Sequence, residues 1–352
     1  MDAGIDRFIR PPLLAIGGLD SKPRQVAGQR LMSNENPYGC SPRVWQALAN
    51  YRELNLYPDP EQGELKELLS EYTGVGTEYI LASNGCEDLI DQVIRLFVGP
   101  GDEVISCTPT FGLFQIRTEM YGGTFIDVPR GEDFATDVAA VKAGITNRTR
   151  LICLVNPNNP TGTLIPQRDI LEIVDMGLPT VVDEAYFEFC GETMCQFIRQ
   201  YENMMVLRTF SKWAGLAGLR IGYGIFQPKI VAYLRRIKGY FNVNAIATIA
   251  VRESLKDRGY LQDNIEKIIA ERERLFTELG KLKFLKPFPS QGNFIFCSVL
   301  DGKASEIQST LEKEGIRINI LREVNALRIT AGKPEQTDAV MKALRKWERI
   351  RK

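Results

Sequence analysis

The run Arg150-Leu151-Ile152-Cys153-Leu154-Val155 passes directly into Asn156-Pro157-Asn158-Asn159-Pro160-Thr161-Gly162. A helical stretch over 168–176 follows, and then a second apolar run, Thr180-Val181-Val182-Asp183, ends on a carboxylate. A short apolar run closed by Asn, Pro and Gly reads as a buried strand and its turn. Two such strands joined by a helix are the unit of a parallel sheet, because parallel neighbours need a crossover. The alternation continues outward. Upstream lie strand-like runs at 79–82, 103–107 and 124–128, with helical stretches at 86–97 and 111–121; downstream lie 204–208 and 220–225. These seven runs predict an α/β fold whose large domain is a seven-stranded, mostly parallel sheet flanked by helices.

From Asn242 onward the texture changes. Long helical patterns at 245–256 and 260–279 precede a strand at 294–299, a helix near 305–314, a strand at 326–330 and a closing helix over 335–351. That mixture predicts a smaller α+β domain. The expected division is an N-terminal arm, 1–30, packing on the small domain, a large domain over 31–250, and the small domain over 251–352.

Composition removes several function classes. The chain of 352 residues has 44 basic and 44 acidic side chains, so nothing electrostatic recommends nucleic acid or an anionic membrane as partner. No apolar run reaches the ~20 residues of a membrane span. The first ten residues mix Asp and Arg without an apolar signal core, which points to a cytoplasmic protein. There is no histidine at all. Ser-His-Asp and Cys-His catalysis and His-ligated zinc are thereby excluded, and no metal is expected. The 7 cysteines are scattered without a C-x-x-C pair and read as reduced thiols.

Chemistry must then come from Lys, carboxylates, Tyr or a borrowed cofactor. Four strand ends offer it. The Asn156–Gly162 loop is one; taken alone it is an ordinary strand-to-helix turn. Asp183-Glu184-Ala185-Tyr186 is another, at the edge of a sheet where ligands bind, although an Asp there can merely cap a helix. Thr209-Phe210-Ser211-Lys212, with Arg220 eight residues later, is either a solvated turn or a phosphate cup with an amine beside it. Ser83-Asn84-Gly85-Cys86-Glu87 is a strand–Gly–helix junction, whose free N–H groups suit an anion.

Their order along the chain resembles the class I/II aminotransferases, pyridoxal-phosphate enzymes of fold type I. The resemblance spans nearly the whole chain and is narrowest to the histidinol-phosphate aminotransferase branch. It is carried by Asn34-Glu35-Asn36-Pro37-Tyr38-Gly39, Tyr57-Pro58-Asp59-Pro60, Pro109-Thr110-Phe111, Arg208-Thr209-Phe210-Ser211-Lys212, Ala217-Gly218-Leu219-Arg220 and Leu327-Arg328-Ile329-Thr330. The resemblance implies pyridoxal 5'-phosphate as cofactor, with Lys212 as its Schiff-base lysine and proton carrier. Asp183 would face the ring nitrogen, Tyr186 and Asn159 the ring oxygen, and Phe111 the ring face. Cys86 and Glu87 would offer backbone N–H groups to the phosphate, joined by Thr209, Ser211 and Arg220. Tyr57 would reach that phosphate from the other subunit of a homodimer. Arg328, with Asn159, would hold substrate, and 2-oxoglutarate is the expected acceptor.

The chain departs from the branch at one informative place. Relatives carry Gly-x-x-x-Arg before the Leu-Arg-Ile-Thr strand, and that Arg helps bind substrate phosphate. Here the segment is Gly315-Ile316-Arg317-Ile318-Asn319. Arg322, or Arg317, is the expected substitute. The departure keeps two alternatives open beside histidinol phosphate: transfer from aromatic or other amino acids, and decarboxylation of a phospho-amino acid.

Overall fold

The computed structural model describes residues 4–16 and 28–351. The described residues form twelve strands: β1 (Gln29–Leu31), β2 (Ile80–Ser83), β3 (Glu103–Thr108), β4 (Thr124–Pro129), β5 (Thr149–Val155), β6 (Thr180–Asp183), β7 (Met204–Thr209), β8 (Gly222–Ile225), β9 (Leu285–Pro287), β10 (Phe294–Val299), β11 (Ile316–Leu321) and β12 (Ala326–Thr330). The seven runs expected from the sequence make one sheet, in the order β2-β8-β7-β6-β5-β3-β4. Every neighbour pair is parallel except those of β8, which runs against both β2 and β7.

Both faces of this sheet are buried, which is why its strands read as continuous apolar runs. Ile152, Leu154, Val182 and Val206 point into one core, while Leu151, Cys153, Val181 and Leu207 point into another. The last strand starts later than expected, at Gly222, because Arg220 takes a left-handed backbone with φ 51°. The Arg220 guanidinium lies beside Gly85 and Glu87, at the end of β2.

The second sheet has the order β1-β11-β12-β10-β9. Ile316, Ile318, Leu327, Ile329, Ile295 and Cys297 form its core face, covered by helices Ala304–Lys313 and Pro334–Arg351. β1, β9 and β11 were not among the expected strands. β1 and β9 have 3 residues each, too short to show a pattern. β11 alternates Ile316, Ile318 and Ile320 with Arg317 and Asn319, as a strand covered on one face does.

Helix Arg258–Leu279 belongs to both halves. Leu261, Ile265 and Ile268 lie in the large-sheet core, and Leu275 and Leu279 in the small-sheet core. The change of core therefore falls beyond residue 268, later than the expected boundary at 250. The expected arm also divides. Gln29–Leu31 joins the small sheet beside β11, but helix Pro11–Ala15 packs against Leu113–Met120 of the large unit. The Arg10 guanidinium there stands 5.9 Å from the centre of the Tyr121 ring, a cation–π contact that favours this side. Residues 1–3 and 17–27 of that arm lie outside the described residues.

Candidate active site

A cavity of about 590 Å³ opens between the carboxyl ends of β5, β6 and β7 and the exposed face of β11 and β12. That is the position where open α/β sheets hold ligands. Its wall includes Cys86, Glu87, Phe111, Asn159, Asp183, Tyr186, Thr209, Ser211, Lys212, Arg220 and Arg328. So eleven residues far apart in sequence share one site. Of the expected residues, Tyr57, Arg322 and its alternative Arg317 do not line it. Tyr57 is 80% exposed on the outer surface and stacks on Phe241. Arg322 starts the exposed turn after β11, because the strand's alternation turns Leu321, its last residue, into the cavity and Arg322 away from it.

Asp183 ends β6 and is buried. Its Oδ1 accepts the Ala185 N–H at 3.0 Å, and Cys86 Sγ lies 4.0 Å from the same oxygen. Burial pushes this carboxyl up to about 7, with the neighbouring Glu184 adding to the rise. A cationic N–H brought against it would restore the ionised form.

Lys212 follows β7 and donates from Nζ to the Ser33 carbonyl at 2.8 Å. Burial, then the Arg328 charge, brings its amine down to about 8. On the order of a tenth of it is thereby an uncharged nucleophile at pH 7, far more than an ordinary lysine offers.

The floor between them is a cup for an anion. Gly85, at φ +89°, turns the chain into helix Cys86–Phe97. A Cβ there would meet Arg220 Nη2 at 2.7 Å, so glycine leaves room for the guanidinium. The Ser211 N–H donates to Thr209 Oγ1 at 3.0 Å, and the two hydroxyls are bonded at 2.9 Å. Arg220 pairs with Glu87 at 3.3 Å on a half-exposed edge. Helix N–H groups, two hydroxyls and a guanidinium around one space fit a phosphate.

The opposite wall is held by the strap Met32–Asn34. Arg328 donates from Nη2 to the Met32 carbonyl and from Nη1 to Asn159 Oδ1. Its Nε–H is buried and has no partner among the described residues, a donor left for an incoming anion. Asn34 donates from Nδ2 to the Tyr186 hydroxyl at 2.8 Å. The Asn34 backbone, at φ 55°, is fixed by its N–H to Thr330 Oγ1 and by its carbonyl, which accepts from Asn293. Met32, Ser33 and Asn34 thus each grip one side chain of the site. Sequence reasoning noticed the Asn34–Gly39 stretch but gave it no role, since two of the three grips use carbonyl oxygens that any residue carries.

Sequence reasoning also passed over a buried ion pair beside the site. Glu184 and Arg208 are the chain neighbours of Asp183 and Thr209 and are 0% and 3% exposed. Arg208 Nε donates to Glu184 Oε2 at 3.0 Å, while Glu184 Oε1 accepts the Met194 N–H. The signal was present as charges embedded in apolar strands, which are rarely buried unless paired.

A lysine, a buried carboxylate and a phosphate cup on the strand ends of such a sheet define a pyridoxal-phosphate transferase, and the chain belongs to the family "Aminotransferase class I and II", which it matches over residues 29–344. Within that family it falls in the histidinol-phosphate aminotransferase branch. It is 46% identical to a histidinol-phosphate aminotransferase of Dehalococcoides mccartyi over 98% of this chain and 99% of the relative. A chloroplastic histidinol-phosphate aminotransferase of Arabidopsis thaliana is 38% identical over 97% of this chain and 86% of its own. Among solved structures, the histidinol-phosphate aminotransferase of Sinorhizobium meliloti in complex with pyridoxal-5'-phosphate superposes with TM-score 0.88 at 26% identity, covering 98% of both chains. The protein is a pyridoxal-phosphate-dependent aminotransferase. No helix among the described residues is long and apolar enough to cross a membrane.

Proposed function

We propose that the enzyme takes the amino group of L-histidinol phosphate and passes it to 2-oxoglutarate, giving imidazole acetol phosphate and L-glutamate in histidine biosynthesis. The observation that carries this reading is the 46–49% identity to relatives named for histidinol phosphate, which extends over at least 90% of the chain and so takes in both walls of the cavity.

Pyridoxal phosphate supplies the electron sink for bond changes at the substrate α-carbon. The protein does the rest. Asp183 would face the ring nitrogen, whose positive charge would offset the burial that raises this carboxyl and so keep the proton on the ring. Lys212 would bind the cofactor and, when freed, hold or release the proton at the substrate α-carbon. Tyr186 and Asn159 would orient the ring oxygen, and Phe111 would cover one ring face. The helix start at Cys86 and Glu87, with Thr209, Ser211 and Arg220, would hold the phosphate. Arg328 receives the carboxylate of 2-oxoglutarate through the donor it has to spare.

The enzyme acts as a cytoplasmic homodimer in which Tyr57 completes the partner's phosphate site. In support, Tyr57 stacks on Phe241 at 4.4 Å, and Leu54, Leu56 and Tyr240 stand exposed around them. An apolar patch of that kind marks an interaction face. The cysteines, free among the described residues, suit a reducing compartment.

The test is a half-reaction. Cofactor-loaded protein is mixed separately with histidinol phosphate, glutamate, phenylalanine and tyrosine while the absorbance of the bound cofactor is followed. Rapid change with histidinol phosphate at low concentration is expected. Change with glutamate and the aromatics alone would move the donor to the aromatic amino acids, the second reading, which Asn319 favours. Release of carbon dioxide in place of a transferred amino group would make it a decarboxylase.

A further inference from the structure

The cavity face of the small sheet carries a row of cations that the missing arginine would have joined. Asn319 lines the cavity and lies directly across from Arg328 in the β11–β12 register. Side chains two apart on a strand share a face, so Arg317 stands on the same side as Asn319. β1 runs parallel beside β11 with Arg30 opposite Arg317, and Leu31 opposite Ile318. Leu31 and Ile318 are buried in the core on the far side, which confirms that Arg30 and Arg317 face the cavity side. On ordinary sheet spacings Arg30 and Asn319 are rooted roughly 8 Å apart, a span an arginine covers and an asparagine does not.

The position of the Arg30 guanidinium supports the same conclusion. It holds Glu35 with two donors, Nε to Oε2 at 3.2 Å and Nη2 to Oε1 at 2.8 Å, and Glu35 is itself part of the cavity wall. The guanidinium therefore stands at the cavity rim. As a partly exposed ion pair, with side chains 34% and 35% accessible, it contributes little to stability. It does keep a guanidinium fixed where a ligand enters, with three of its five N–H donors unclaimed by Glu35.

We propose that Arg30, reaching over from the neighbouring strand, binds the phosphate of the amino donor in place of the arginine that Asn319 replaces. Arg317 adds charge behind it, and Glu35 orients the guanidinium. This inference rests on the reading that the donor is a phosphate ester. It also accounts for a site that keeps a phosphorylated substrate although the expected residue is absent.

The experiment uses cofactor-loaded wild type, Arg30→Gln, and the double variant Arg30→Gln/Asn319→Arg. KM and kcat are measured for histidinol phosphate, for unphosphorylated histidinol and for glutamate, and binding of inorganic phosphate is followed by calorimetry. Arg30→Gln is expected to raise the KM for histidinol phosphate roughly ten- to a hundredfold and to weaken phosphate binding in parallel. Glutamate and histidinol should change less than about threefold, which also shows that the variant is folded. The double variant should recover most of the loss. An unchanged KM for histidinol phosphate, or an equal loss for histidinol, would overturn the inference while leaving the donor assignment intact. A wild type that transfers from glutamate but never from histidinol phosphate would overturn the donor assignment itself, and this inference with it.

Discussion

The two walls of the cavity are built on different terms. The large-sheet wall sets Asp183, Thr209, Ser211 and Lys212 at strand ends buried on both faces, and clamps Asp183 and Thr209 from behind with the Glu184–Arg208 pair. The small-sheet wall sets Arg328 and Asn319 on a half-covered sheet, and steadies Arg328 with a backbone carbonyl and the Asn159 amide. On the proposed reading, reaction chemistry sits on the first wall, where geometry is hard to change, and selectivity on the second, where one side chain can be exchanged without disturbing a core. Asn319 in place of arginine is such an exchange.

The comparison is tested most severely at Lys212. Lys212→Ala should reduce transamination by about 10,000-fold or more, measured as single-turnover change of the bound cofactor, because it removes both nucleophile and base. Next comes Asp183→Asn, expected to lower kcat by about 100- to 1,000-fold with little change in KM, as loss of a fixed charge does. On the other wall Arg328→Lys should act mainly on KM for 2-oxoglutarate, by about tenfold, since a lysine cannot form the planar fork. If Arg328→Lys instead lowered kcat as much as Asp183→Asn, the division of labour between the walls would fail.

The smallest expected effect is on pH dependence. In the folded, cofactor-free protein Asp183 keeps its proton up to about 7, above its unfolded value. Its contribution to stability is thus full below about 4 and is lost as pH rises through about 7. The melting temperature of the cofactor-free wild type should fall relative to Asp183→Asn over that window. Cofactor uptake should rise with pH through about 8, where the Lys212 amine loses its proton.

The large wall was legible in the sequence because its signals are local. A continuous apolar run ending in Asp183 or in Thr209-Phe210-Ser211-Lys212 states both the strand and what stands at its end. The small wall was less legible. β1 is too short to show a period, Arg30 reaches the rim only through its pairing with a strand some 290 residues later, and the strap works through carbonyls. Arg322 is near Asn319 along the chain, whereas Arg30 is near it across the sheet. Strand pairing, not spacing along the chain, decides which charge meets the cavity.

The strap has a thermodynamic consequence. Its three residues accept from Arg328, accept from Lys212 and donate to Tyr186, side chains from three separate parts of the chain. A cofactor held by Lys212 would take the donor that now serves the Ser33 carbonyl, and an anion held by the free Nε–H of Arg328 would sit beside the bond to the Met32 carbonyl. If each ligand shifts this one segment, linkage requires that each alter the affinity of the other by the same factor. Hydrogen exchange at the Asn34 amide, which is bonded to Thr330, reports that coupling without any turnover.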